Sequence, residues 1–192
     1  MVEILDRQQA PARHRVDVAA YYKMAEVGIL TPKDRVELIG GEIFDMTPIG
    51  SGHAGKTNRL IRLFARAAAD GLALVSVQSP LRLDAYNEPE PDVMLLRPRV
   101  DDYQDRHPGA ADVLLLVELS ESSLAFDRRV KLALYAKFGV SEVWIVDLRG
   151  AAIEVYGEPA GGAYTHRERL TSGPLTPVLV PAVTIDVGAL IA

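Results

Sequence analysis

The run Asp112–Ser120, DVLLLVELS, decides how this chain folds. Its apolar residues occupy both alternations. A strand with one face in water alternates apolar and polar, so an unbroken apolar run marks a central strand covered on both faces. The segment SLAFDRRVKLALYAKFGV (123–140) then predicts a helix at about 124–138, and EVWIVDL (142–148) and AIEVYG (152–157) read as two further strands. Upstream, LALVSVQ (72–78), PLRLDAY (80–86) and DVMLLRP (92–98) read as three strands separated by Pro, Asn and Glu.

Nearer the N-terminus, VELIGGEIFDM (36–46) alternates around Gly40-Gly41, the signature of a hairpin whose two-residue turn needs positive φ. Asp17 is placed as the N-cap of a short helix through Met24. A longer helix, roughly 52–69, carries Leu60, Ile61, Phe64, Ala67 and Ala68 at helical spacing and stops at Gly71. Residues 1–15 show no periodicity and read as a loose arm, leaving 16–192 as one domain. The tail after Gly161 predicts a hairpin strand and a short terminal segment. The result is an α/β fold with a mixed central sheet flanked by helices.

Composition narrows the chemistry. Hydrophobic residues make up 48% of the 192 and charged ones 24%, which suits a domain with a sizeable core. The chain has no cysteine, so any metal must sit on carboxylates or imidazoles. No apolar run reaches the roughly 18 residues of a membrane span, and the N-terminus lacks the apolar centre of a secretory signal, so a cytoplasmic location is the expectation. The formal charge of -5 argues against a protein coated in positive potential for non-specific nucleic-acid binding, though not against a local basic surface.

Within this frame Glu118 stands out. It lies inside LLLVELS, where an ionised carboxylate costs several kcal/mol unless a partner compensates it. The bland account is a strand-end carboxylate paired with the backbone or an Arg. Asp92 opens another apolar run after Pro89 and Pro91; alone it reads equally well as a turn residue. Together, two carboxylates at corresponding points of neighbouring strands can share a hard divalent ion. Lys131 shares a helical face with Asp127 and Tyr135. It is either a surface ion-pair partner of Asp127 or a cation beside the reacting water and phosphate.

The string PDVMLL, then LLLVELSESS, then Asp127 to Lys131 as DxxxK, then YAKFGVSEVWIVD resembles the Uma-two family of endonucleases with a restriction-endonuclease-like core. VELIGGEIFDM followed by the His of SGH is similar as well, and the likeness spans roughly 17–190. It implies a PD...(D/E)xK nuclease site. The usual lysine position, two residues after the acid, is Ser120 here, and the family's displaced lysine corresponds to Lys131. The first acid corresponds to Glu37, with Glu42 across the turn as the alternative. Gln78, His53, Ser120 and Arg128 are candidates for cleft or phosphate contacts.

The expected activity is hydrolysis of nucleic acid, DNA in the first place, with Mg²⁺ or Mn²⁺ on Asp92 and Glu118, Glu37 assisting and Lys131 serving water and phosphate. A homodimer is expected because cutting two strands with one site per chain is simplest with two-fold symmetry. The stretch PLTPVLVPAVTIDVGALIA (174–192) is a candidate for that contact or for the monomer's own core. Lys56, Arg59, Arg62 and Arg66 form a basic stripe on the 52–69 helix, and Arg128 and Arg129 add a second cluster. The rival reading is a nuclease-fold binding or regulatory module without catalysis; a plain structural partner of another chain is a third.

Overall fold

The computed structural model describes residues 13–31 and 33–192; the expected arm at 1–15 falls mostly outside them. Helix α1 (Val18–Glu26) starts at Asp17, whose Oδ1 accepts from Ala20 N at 2.8 Å, satisfying one of the orphan N–H groups of a helix start. Strands β1 (Val36–Ile39) and β2 (Glu42–Asp45) form the expected hairpin. Its turn residues Gly40 and Gly41 have φ of 64° and 78°, and a Cβ on Gly41 would sit 2.7 Å from that of Arg15. Only glycine meets both demands at Gly41.

Helix α2 (Ser51–Ala69) buries Thr57, Leu60, Phe64 and Ala67. A six-stranded sheet follows in the order β3 (Leu74–Val77), β4 (Val93–Leu96), β5 (Val113–Ser120), β6 (Glu142–Asp147), β7 (Ala152–Ala160) and β8 (Ala163–Leu170). All neighbours are antiparallel except β5 and β6, which are parallel and joined through helix. A parallel pair needs such a crossover because a tight turn cannot reverse the chain twice. The run that opened the reading is β5, buried at all eight positions.

Residues 80–86 do not form the strand expected of PLRLDAY. Leu81 N bonds Pro89 O and Leu83 N bonds Asn87 O, closing a loop around Asp84–Asn87, while Glu88 bridges to Leu38 of β1. Pro80, Pro89 and Pro91 lack the N–H that a ladder requires, and the Asp84 carboxylate accepts from Tyr86 N and the Asn87 amide, which favours a turn.

The sheet separates two apolar layers. On one face α2, the β9 (Pro174–Leu175) and β10 (Ile185–Asp186) pair and the terminal helix α5 (Val187–Ile191) cover Val93, Leu95, Leu115, Val117 and Trp144. Leu175, Val180, Val183, Ile185, Val187 and Leu190 are all buried there, so the apolar tail completes this chain's own core. On the other face Met94, Leu116, Ile145 and Tyr156 pack with Tyr135 of the crossover helix. No helix among the described residues is long and apolar enough to cross a membrane.

The crossover is α3 (Leu124–Phe126), a π-helical turn (Asp127–Lys131) and α4 (Leu132–Lys137) in one continuous run. Leu132 N bonds the Asp127 carbonyl, the i→i+5 step that defines the π turn. Sequence periodicity does not reveal this wider turn, and it carries Asp127 and Lys131.

Candidate active site

Side chains of Glu118, Lys131 and Glu37 meet where β5, the π turn and the β1–β2 hairpin come together. Lys131 Nζ lies 2.9 Å from Glu37 Oε2 and 3.3 Å from Glu118 Oε1, and Tyr135 Oη donates to the same Glu118 oxygen at 2.6 Å. Glu37 Oε2 also accepts from Glu90 N at 3.1 Å. Glu42 faces solvent and pairs with Arg13 at 2.8 Å, so Glu37 is the hairpin acid that reaches the cluster.

Asp92 joins from the next strand. Val93 pairs with Val117, so Asp92 continues β4 towards the row of Glu118, and its Oδ2 accepts from Leu119 N at 2.8 Å. Its Oδ1 lies 3.1 Å from His53 Nε2, while His53 Nδ1 is buried with no hydrogen-bond partner among the described residues. Asp92, Glu118, Glu37, Lys131 and His53 all line one cleft of about 270 Å³, with Glu90, Asp127 and Arg35. The α2 N-terminus opens on it at Gly50 and His53, with no side chain capping its first N–H groups. Its partial positive charge favours anions there.

The remaining expected contacts lie elsewhere. Ser120 is buried, and its hydroxyl donates to Asp127 Oδ2 at 2.6 Å; Ser123 donates to that oxygen at the same distance. The position of the usual lysine therefore ties down the π turn that delivers Lys131. Gln78, at φ 44°, gives its backbone N–H to the Asp92 carbonyl at 3.1 Å and does not line the cleft. Arg128 does not face the cleft. Its guanidinium clamps Glu154 of β7 at 2.5 and 3.0 Å, because the helix turns it over the far strands. The basic stripe of α2 is also engaged in part: Lys56 Nζ donates to the Ala192 carbonyl at 2.8 Å, Arg59 to that of Ala189, and Arg66 pairs with Asp70. Lys56 and Arg59 thus satisfy carbonyls at the C-terminal end of α5.

Sequence reasoning passed over Glu90, Arg35 and the role of Tyr135. Glu90 sits in EPEPD, where it was indistinguishable from a loop acid, and Tyr135 carried only its i+4 spacing from Lys131.

Burial raises the Glu118 carboxyl to about 8 against the pull of the Lys131 charge, with Asp127, Asp92 and Glu37 adding to the rise. Burial works against the Lys131 ammonium, but Glu118 and Glu37 outweigh it and hold the proton more tightly than usual. Tyr135 is raised well above the ordinary phenol by burial and then by Glu118. Burial and then Glu37 raise Glu90, and the hydrogen bond to Asp92 raises His53 against desolvation.

The donors fit a divalent cation in kind. They are hard carboxylate oxygens, and seven acids, Glu37, Asp45, Glu90, Asp92, Glu118, Glu121 and Asp127, line a cleft with one buried ammonium. Among the described residues no three His, Asp or Glu side chains stand close enough to enclose an ion. Any ion held here would rest on one or two of these carboxylates, with other ligands completing its shell.

The family Uma2, described as "Putative restriction endonuclease", matches residues 18–188. The chain belongs to the Uma2 family. A crystal structure of "a putative nuclease belonging to DUF820" from Anabaena variabilis superposes on this Uma2 protein with a TM-score of 0.71. The two are 12% identical, and the match covers 92% of this chain and 97% of the other. At that identity the likeness establishes the fold. No curated protein matches the chain. Family and fold together support a nuclease-type function.

Proposed function

We propose that this Uma2 protein is a metal-dependent endonuclease that hydrolyses phosphodiester bonds of nucleic acid. The observation that carries the reading is the Lys131 ammonium held between Glu37 and Glu118 in the wall of a cleft that also presents Asp92. An ion-pair partner on a solvated helix face would not be placed there. Asp92 and Glu118 would hold the ion, Mg²⁺ or Mn²⁺. When bound, it supplies charge neutralisation at the phosphate and a water of lowered pKa.

The chain's own residues do the positioning. Tyr135 fixes one Glu118 oxygen, and Leu119 N and His53 fix the two oxygens of Asp92. Glu37 steadies the Lys131 ammonium from the hairpin side. From there Lys131 donates hydrogen bonds to the attacking water or to a phosphate oxygen, where negative charge grows in the transition state. DNA is the first substrate to try, and on a duplex a homodimer would let two such sites act on two strands.

The test is cleavage of plasmid, single-stranded DNA and RNA with Mg²⁺ or Mn²⁺. Lys131→Ala should lose on the order of a hundredfold in rate, equivalent to about 3 kcal/mol, while Mn²⁺ binding by calorimetry survives. Asp92→Ala should lose the Mn²⁺ binding. Full activity in Lys131→Ala would remove the lysine from the site. Wild-type protein with no metal-dependent cleavage of any nucleic acid would favour a nuclease-fold binding module instead.

A further inference from the structure

The cleft has an apolar wall that neither core layer accounts for. Phe44, Met46, Pro48, Ile49 and Phe126 line it together with the acids, and none belongs to the clusters packed on the two sheet faces. The rings of Phe44 and Phe126 lie 5.2 Å apart at 51° and are only partly buried, and Ile49 is exposed. Burial in a core does not explain two aromatics in that position, since each leaves apolar surface open to water.

Their placement ties them to the chemistry. Phe44 is the direct cross-strand partner of Glu37, so both side chains project from one side of the hairpin, about 5 Å apart at Cβ. Phe126 immediately precedes the π turn that presents Lys131. A phosphate that reaches Lys131 enters the cleft that these two rings also line.

Scale and charge argue the same way. A space of about 270 Å³ is at the small end of ligand pockets, the scale of one unit of a polymer. Duplex binding is driven by releasing counterions along a track of free Lys and Arg. Here Lys56, Arg59, Arg66 and Arg128 are each engaged within the chain, and the protein carries a formal charge of -5. Base stacking on aromatics needs no such track and tolerates any sequence.

We propose that the cleft takes an unpaired nucleotide, its base packed on Phe44 and Phe126 while its phosphate meets Lys131 and the ion that Asp92 and Glu118 would hold. The preferred substrate is then a single-stranded segment, of DNA or RNA. This rests on the nuclease reading above.

The experiment is fluorescence anisotropy on the full chain with Ca²⁺ in place of Mg²⁺, using a labelled 12-nucleotide DNA strand, its RNA counterpart and the 12-base-pair DNA duplex. Wild type should bind at least one of the single strands about tenfold or more tighter than the duplex, with a shallow salt dependence. Phe44→Leu with Phe126→Leu should lose on the order of tenfold in single-strand affinity and leave duplex affinity unchanged. Phe44→Tyr with Phe126→Tyr, which keeps both rings, should retain it. Equal binding of duplex and single strand by wild type overturns the proposal without recourse to any variant, as does unchanged affinity in the folded leucine variant. If duplex is bound best and cut, the nuclease reading stands and this one falls; if single strands are bound through the two rings but nothing is cut, the reverse holds.

Discussion

Glu118 and Glu154 occupy one row of the central sheet, two strands apart: Glu118 pairs with Ile145 of β6, and Ile145 pairs with Glu154 of β7. They are nearly equally buried, at 3% and 1% exposure, yet their surroundings differ. Burial alone would raise Glu154, but bonds from Arg128 and Tyr156 and the charges of Arg128 and Arg167 prevail and hold it below the usual glutamate range. Glu118 is buried with one cation, shared with Glu37, and with Asp127 and Asp92 around it, so its carboxyl rises to about 8. The difference separates a carboxylate satisfied by the fold from one that needs something else to complete it. Closed ion pairs of the first kind hold structure; an acid left in excess over a cleft is where, on the proposed function, an added cation or substrate would act.

The largest expected effect sets the two cations against each other. Lys131→Ala should lower metal-dependent cleavage about a hundredfold, whereas Arg128→Ala, three residues away on the same helix, should stay within about threefold of wild type. Steady-state rates on the same oligonucleotide decide it. Comparable losses in both would mean that the two glutamate clusters belong to one functional surface.

Stability should divide the pair the other way. Arg128→Ala strips the main partner from Glu154 and should cost about 1–3 kcal/mol in chemical denaturation, with Arg167 and Tyr156 limiting the damage. An unchanged midpoint would show that the remaining partners suffice.

The pH dependence carries the contrast further, with opposite signs for the two acids. Glu118, raised in the folded state, favours the protonated form, so its contribution to metal-free stability is full below about pH 4.5 and is lost as pH rises towards about 8. Glu154, lowered in the folded state, contributes above about pH 4.5 and loses that contribution as pH falls through its folded value. With chelator present, Glu118→Gln should therefore gain on wild type in Tm between pH 5 and pH 8. Glu154→Gln should be less stable than wild type across that range, by about 1–2 kcal/mol. Parallel Tm curves for the two variants would erase the distinction.

The smallest effect concerns the α2 stripe. Lys56→Ala with Arg59→Ala should cost about 0.5–1 kcal/mol by uncapping α5 carbonyls and should leave nucleic-acid affinity unchanged. A loss of affinity with a reduced salt slope would return the stripe to the substrate surface.

Much of the arrangement was legible beforehand because local chemistry states it directly. Two positive-φ glycines between alternating residues give the hairpin, a continuous apolar run gives the central strand, and a glutamate inside such a run is too costly to be idle. PLRLDAY misled because its alternation resembles a strand, while three nearby prolines and the Asp84 carboxylate settle it as a loop. The partners of the basic stripe were not legible because a sequence shows which side chains are charged and not which carbonyls stand within their reach.

What the sequence by itself determined, then, is the order of elements, the central strand and the residue types able to bind a cation and a phosphate, since these follow from backbone preferences and burial along a short stretch. Tertiary structure alone decided the pairings. It chose Glu37 over Glu42, turned Arg128 to Glu154, widened one helical turn so that Lys131 reaches two acids, and set Phe44 beside Phe126. Such choices depend on which distant segments share a dry interior, because there the energy of a charge is fixed by neighbours within a few ångströms and not by its position along the chain.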